Sequence, residues 1–132
     1  MLSALMRSRP DASVADWLDQ QPAQSVWITA ITVFEARFGI ALLEPGRRRQ
    51  DIEKSFFKVL RDDLEGRVLD FDEASAEKAA ALAAVRQRAG RPVDLRDTQI
   101  AGIALARRGT LATRNTRHFE DLSVPVVNPW AT

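Results

Sequence analysis

Apolar and polar positions along the chain alternate between two kinds of pattern. Four short runs rich in β-branched residues are typical of strands, and the longer segments between them repeat apolar residues at helical spacing. This alternation predicts an α/β fold with a largely parallel sheet. The predicted strands are Ser25–Thr29, Arg67–Phe71, Thr110–Thr113 and Val124–Val127.

Capping residues and helix breakers set the bounds of the predicted helices. A Pro-Gly pair at 45–46 divides one helical region into a hairpin, and Asp72 and Asp94 are predicted N-caps. Gly90 and Gly109 end the helices that these two aspartates open. The predicted helices are Leu2–Arg7, Ala12–Gln20, Thr32–Leu43, Arg47–Leu64, the segment from Asp72 to Arg88, and Asp94–Arg107.

The composition narrows the class of protein. A chain of 132 residues that is 45% hydrophobic and 28% charged is expected to form a single compact domain over residues 1–132. It contains no run of about 18 apolar residues and no signal-peptide pattern, so we expect a cytoplasmic protein. The absence of Cys and the single His118 exclude thiolate sites and sites with two histidines. A metal ion would have to be held mainly by oxygen.

The net charge of the chain does not indicate a nucleic-acid partner, but its arginine content could indicate local contacts with phosphate. A net charge of +1 creates no large field that would attract nucleic acid, but 16 of the 19 basic residues are Arg. Arginine suits bidentate contact with phosphate. The alternative is that these arginines form ordinary solvated faces.

Glu35 is a candidate site residue because it is predicted in the first turn of a helix that follows a strand directly. In open parallel sheets, ligands bind at the carboxyl ends of the strands. A structural alternative is that Thr32 and Glu35 form a capping box, which would explain both residues without any chemistry.

Asp97 occupies a comparable place, in the first turn of the helix that Asp94 opens. It could be no more than a favourable charge at the positive end of the helix dipole. A third polar cluster follows the strand at 110–113, where Thr113, Asn115 and Thr116 offer oxygens and Arg114 and Arg117 offer charge. The alternative there is a polar turn with an Asx hydrogen bond.

Four segments in order resemble the PIN domain, and particularly its VapC and FitB-like toxin endoribonucleases. The resemblance covers nearly the whole chain and implies a three-layer α/β/α fold with a central parallel sheet. Ile31–Gly39 resembles the family's second acidic motif and Asp97–Ala104 its third. Thr113–Asn115 resembles the TRN motif, and Val127–Trp130 resembles the closing strand.

The resemblance implies a ribonuclease site. Glu35 and Asp97 would hold Mg²⁺ or Mn²⁺, and Asn115, at the last acidic position of the family, would be the third catalytic residue. It also implies an RNA substrate, a cognate antitoxin and a homodimer as partners. Residues expected to contact phosphate or RNA are Thr113, Arg114, Arg117 and His118, where His118 could instead only cap its loop.

The start of the chain departs from the family pattern. The family opens with a hydrophobic strand ending in Asp-Thr-Asn, then a residue such as Val, then a helix that Leu2–Arg7 resembles. Met1 stands at the position of that Val, so the first, central strand and its aspartate are absent from the printed residues. We hypothesise a misassigned GTG start codon; in-frame upstream codons without Asp-Thr-Asn would contradict this. We expect the 132 residues alone to be weakly active or inactive and prone to aggregate.

A second interpretation is a catalytically degenerate toxin that acts only by binding its antitoxin. The helical hairpin would supply the binding surface through exposed apolar side chains such as Trp17, Phe56 and Phe57. A receiver-like or flavodoxin-like domain is a third interpretation, but the sequence has no glycine-rich phosphate loop.

Overall fold

The computed structural model describes residues 26–113 and 116–128. Contacts divide the chain into two compact units, of which the first ends at Val68 and the second runs from Leu69 to Asn128. The predicted helices Leu2–Arg7 and Ala12–Gln20 lie outside the described residues. No helix in the described part of the chain is long and apolar enough to cross a membrane.

The first unit begins with a strand that runs directly into a helix. Strand β1 (Ile28–Thr29) precedes helix α1 (Ala30–Ala41), and the hydroxyl of Thr29 accepts a hydrogen bond from the Thr32 backbone N–H at 3.0 Å. Helix α2 (Arg47–Lys58) continues as a π-helical turn (Val59–Asp63). The Ile28 N–H donates to the Arg67 carbonyl at 3.1 Å, where β1 pairs with β2 (Val68–Leu69).

Large apolar side chains fill the interior of the first unit. Phe56 is fully buried in this cluster, and the Arg37 guanidinium carbon lies over its ring, 5.5 Å from the centroid. Removing these side chains from water is the main favourable contribution to the folding of this unit. The buried members are Ile28, Ile40, Phe56, Val59 and Leu64.

The second unit contains two helices and a pair of parallel strands. Helix α3 (Glu73–Arg88) and helix α4 (Leu95–Arg107) are followed by β3 (Leu111–Ala112), a 3₁₀ turn (Thr116–Phe119) and β4 (Val126–Val127). Strands β3 and β4 pair in parallel, with Leu111 opposite Val126 and Ala112 opposite Val127.

Helices α3 and α4 approach each other closely at Gly102. A Cβ atom at this position would lie 2.5 Å from the Ser75 carbonyl oxygen and 2.7 Å from the Ala79 Cβ. Ala101 and Ile103, on either side of Gly102, are fully buried. Small residues therefore set the distance between the two helices.

The structure confirms the α/β class and the caps at Asp72 and Asp94, whose carboxylates accept from the Ser75 and Asp97 backbone N–H groups. The strands are shorter than predicted, with two residues each. The structural alternative of a capping box of Thr32 and Glu35 does not hold, because Thr29 caps α1 and the helix begins two residues before Thr32. Glu35 consequently lies in the second turn of α1, not the first.

Candidate functional site

Asp97 is the third residue of α4, and the chain before it fixes its position. The carboxylate of Asp94 accepts a hydrogen bond from the Asp97 backbone N–H at 2.9 Å, which caps the helix. The Asp97 carboxylate therefore stands at the positive end of the helix dipole, where a negative charge is stabilised. Its side chain keeps 21% of its surface exposed, so solutes can reach it.

His118 contacts this carboxylate from the 3₁₀ turn. Its Nδ1 atom lies 2.9 Å from Oδ2 of Asp97, whereas Oδ1 of Asp97 makes no hydrogen bond to any described residue. The ring itself is more than half exposed. The structure thus brings together two residues predicted as site residues, and no described residue is hydrogen-bonded to the second carboxylate oxygen of Asp97.

A buried arginine beneath this pair was missed by the sequence analysis. Arg86 is only 4% exposed, and Asp121 binds its guanidinium through both carboxylate oxygens, at 2.8 Å from Nε and 2.7 Å from Nη2. Nη2 also donates to the His118 carbonyl at 2.7 Å. The hydrogen bonds to Asp121 raise the pKa of Arg86, with smaller contributions from the charges of Asp121 and Asp97.

The same contacts act on the partner carboxylate. The hydrogen bond from Arg86 lowers the pKa of Asp121, and Arg91, whose Nη1 lies 3.2 Å from Asp121 Oδ2, lowers it slightly further. One signal could have indicated Arg86 from sequence. It lies on the same helical face as Ser75 and Ala79, at intervals of four and seven residues, and both of these are buried.

Glu35 is part of the first unit and partly buried on α1. It is not used as a helix cap, so the structural alternative raised for it above does not hold. Thr113 directly follows β3, and its N–H donates to the Val127 carbonyl at 2.9 Å; Arg117 is exposed on the 3₁₀ turn. Arg114 and Asn115 lie outside the described residues.

The donor atoms at this site suit a hard cation. Carboxylate oxygens are the ligands that Mg²⁺ and Mn²⁺ prefer, and Mg²⁺ binds through one or two of them while keeping several waters. Asp97 fits this role through its available oxygen. Among residues 26–113 and 116–128, no group of three or more His, Cys, Asp or Glu side chains could surround a metal ion, so the described part supplies few direct ligands.

Comparison with known proteins identifies the family. The model of the PIN domain matches residues 1–124. A plasmid stability protein StbB of Pseudomonas syringae pv. tomato is 39% identical over 98% of this chain and 94% of its own length. The VapC ribonuclease Y4jK of Sinorhizobium fredii is 35% identical over 98% of this chain and 93% of its own length.

A solved structure of FitAB bound to an IR36 DNA fragment has the same fold, with a TM-score of 0.86 and 33% identity. The match covers 99% of this chain and 92% of that one. Sequence and fold therefore agree over nearly the whole chain. The chain belongs to the PIN-domain family, among the toxins of the VapC and FitB type.

Proposed function

We propose that this PIN domain is a divalent-metal-dependent endoribonuclease, the toxin of a type II toxin–antitoxin system acting in the cytoplasm on RNA phosphodiester bonds. The observation that carries the proposal is the partly exposed Asp97 carboxylate, fixed at a helix start, with one oxygen on His118 and the other without a hydrogen bond from the described residues. Family membership supports it, since a relative of 35% identity is named a ribonuclease and PIN nucleases generally depend on a divalent metal.

The proposed roles follow from the chemistry of the side chains. Glu35 and Asp97 would bind Mg²⁺ or Mn²⁺, and Asn115 would orient a water molecule or the cation. A bound cation supplies positive charge at the scissile phosphate and makes its bound water more acidic. Basic and hydroxyl groups near Asp97 would hold the phosphate or the RNA backbone: Thr113, Arg114, Arg117 and His118.

Replacing Asp97 tests this function. We expect Asp97→Asn to lower Mn²⁺-dependent cleavage of a fluorescent single-stranded RNA on the order of 100-fold. Removing only the hydrogen-bond partner of a metal ligand already lowers metal affinity or activity about 10- to 100-fold, and this variant changes the proposed ligand itself. The assay is run on the 132-residue chain, which we expect to be weakly active or inactive, and, where the gene encodes in-frame residues before Met1, on that longer product as well. EDTA should abolish cleavage in both.

Asp94→Asn is the matched control. It removes one negative charge from the same helix start, while Asn caps a helix as well as Asp does. We expect it to keep cleavage within about threefold, because it changes the local field without removing a carboxylate oxygen of Asp97. Equal loss in the two variants, or cleavage that persists in EDTA, would contradict the proposed site.

A specific surface favours the second candidate, a domain that only binds its antitoxin. Phe34 and Phe38 on α1 and its C-cap Leu42 follow one another at helical spacing and are 57%, 49% and 70% exposed. The Phe34 and Phe38 rings stack with their centroids 6.0 Å apart. Phe57 is also exposed, as predicted, whereas the prediction for Phe56 is wrong because Phe56 is fully buried; Trp17 lies outside the described residues.

The two candidates give different results when cleavage and antitoxin binding are measured on the same protein. Antitoxin binding without metal-dependent cleavage by any product of the gene would favour the binding module. Cleavage that the antitoxin inhibits would favour the nuclease. We propose a homodimer for both, which sedimentation of the purified chain would test.

A further inference from the structure

Arg86 donates hydrogen bonds to three different parts of the second unit. Its Nε and Nη2 atoms donate to Asp121, Nη2 also donates to the His118 carbonyl at 2.7 Å, and Nη1 reaches the Thr98 hydroxyl at 3.5 Å. Thr98 is 2% exposed and donates its own hydroxyl proton to the Asp94 carbonyl at 2.7 Å. The guanidinium therefore contacts both the first turn of α4 and the segment that carries His118.

Stability alone is a weak explanation for this arrangement. Moving a charged pair out of water costs several kcal/mol per ion, and replacing a buried ion pair by apolar side chains of similar volume is often neutral or stabilising. Ala79 and Ile103, also in the interior of this unit, are apolar. What distinguishes Arg86 is the set of groups that it binds. It donates to Thr98, the residue after Asp97, and to the backbone carbonyl of His118.

We infer that Arg86 is a positioning residue of the Asp97 site: its guanidinium, fixed by Asp121, holds the 3₁₀ turn against the start of α4 so that the His118 ring meets the Asp97 carboxylate. The importance of Arg86 for catalysis rests on the proposed function. Its effect on the position of the His118 ring does not, and it can be measured without any assay of activity.

The geometry of the guanidinium, and not only its charge, is needed for this role. Arginine presents several donors in a rigid plane, so it can bind a carboxylate at two points and a carbonyl at a third. A lysine ammonium is a compact point charge at the end of a flexible chain. Arg86→Lys should keep the attraction to Asp121 but should not hold the His118 carbonyl and Asp121 together.

The single histidine of the chain makes the positional test direct. With only His118 present, the imidazole nitrogens give one set of ¹H–¹⁵N signals that need no further assignment. At one fixed pH, we expect the His118 signals of Arg86→Lys to move to those of Asp97→Ala, the reference in which the contact is absent. Circular dichroism and urea unfolding monitor the fold of each variant.

Two further variants control for loss of charge and for failure to fold. Arg91→Met removes the other arginine that binds Asp121, but in the described structure Arg91 contacts neither Thr98 nor the His118 carbonyl, so the His118 signals should stay at wild-type positions. Asp121→Glu keeps both charges and moves the carboxylate by one methylene. It should shift the His118 signals as Arg86→Lys does.

Titration with Mg²⁺ alone tests whether the position of His118 affects the proposed metal site at Asp97. We expect Mg²⁺ to shift the wild-type His118 signals saturably, with a Kd that is weaker by about tenfold in Arg86→Lys and unchanged in Arg91→Met. Wild-type His118 signals in folded Arg86→Lys and Asp121→Glu would overturn the inference and leave the proposed function intact. Absence of any Mg²⁺ effect on the wild-type chain would count against the proposed metal site, while the His118 signals would still decide the positional role of Arg86.

Discussion

Large apolar side chains fill the interior of the first unit, whereas the described interior of the second unit, here called the polar unit, contains buried polar and charged side chains beside apolar ones such as Ile103 and Phe119. Phe56 and Ile40 are buried in the first, while Ser75, Arg86 and Thr98 are buried in the second. The stability of an apolar interior depends on the apolar area removed from water. The stability of a polar interior depends on each buried hydrogen-bond donor having an acceptor. The candidate site at Asp97 lies on the polar unit, where side-chain positions are set by directional bonds.

The largest effect should come from emptying the apolar interior. Phe56→Ala should lower the free energy of unfolding by about 3–5 kcal/mol, because it removes a fully buried ring and leaves a cavity. Phe57→Ala, at a neighbouring side chain that is 48% exposed, is the control and should cost much less. Urea unfolding followed by circular dichroism measures both. Equal losses would mean that the apolar cluster is not the interior of this unit.

Breaking the buried ion pair should have the next largest effect. Asp121→Asn leaves the Arg86 charge in the interior without its counter-ion, and we expect a loss of about 3 kcal/mol at pH 7, at the low end for buried pairs because the Asp121 side chain is 21% exposed. Arg91→Met should cost less than about 1 kcal/mol, since Arg91 is exposed and Arg86 still binds the carboxylate.

This pair also predicts a pH dependence. The pKa of Asp121 is lower in the folded chain than its ordinary value of 3.8, owing to Arg86 and then Arg91. At pH values near 3.8 the unfolded chain binds more protons at this position, so stability rises with pH. The contribution of Asp121 is complete above the ordinary value and is lost as the pH falls through the lowered one. The stability difference between wild type and Asp121→Asn should therefore narrow below about pH 4; a constant difference from pH 7 to pH 2.5 would contradict it.

Local signals in the sequence predicted much of this fold, and long-range contacts explain what was missed. Asp72 and Asp94 cap the helices predicted for them, because a cap depends on residues within one turn. The Thr32 cap raised as an alternative does not form, because Thr29, three residues earlier, offers the same hydroxyl and stands where β1 ends.

In the candidate site, too, the sequence indicated individual residues but not the long-range contacts between them. Asp97 and His118 were both predicted as site residues, but their contact spans 21 residues and no local pattern indicates it. Arg86 lies in a polar stretch that looks like a solvated face, and its partner Asp121 is 35 residues away. Helical spacing places Arg86 on the same face of α3 as Ser75 and Ala79, but only the folded chain shows its bonds to the His118 carbonyl and to Asp121.

The smallest effect tests how closely the two helices of the polar unit must approach. Gly102→Ala should cost about 1–3 kcal/mol, because its Cβ would lie 2.5 Å from a backbone oxygen that cannot move aside as a flexible side chain can. Gly39→Ala, within α1 and with no atom inside 4 Å of its Cβ, should instead stabilise by about 0.5–1 kcal/mol, as alanine favours a helix. Urea midpoints of the two variants should therefore shift in opposite directions. A stabilising Gly102→Ala would show that α3 and α4 can separate without cost, in which case the position of Asp97 would depend on the Arg86 contacts more than on helix packing.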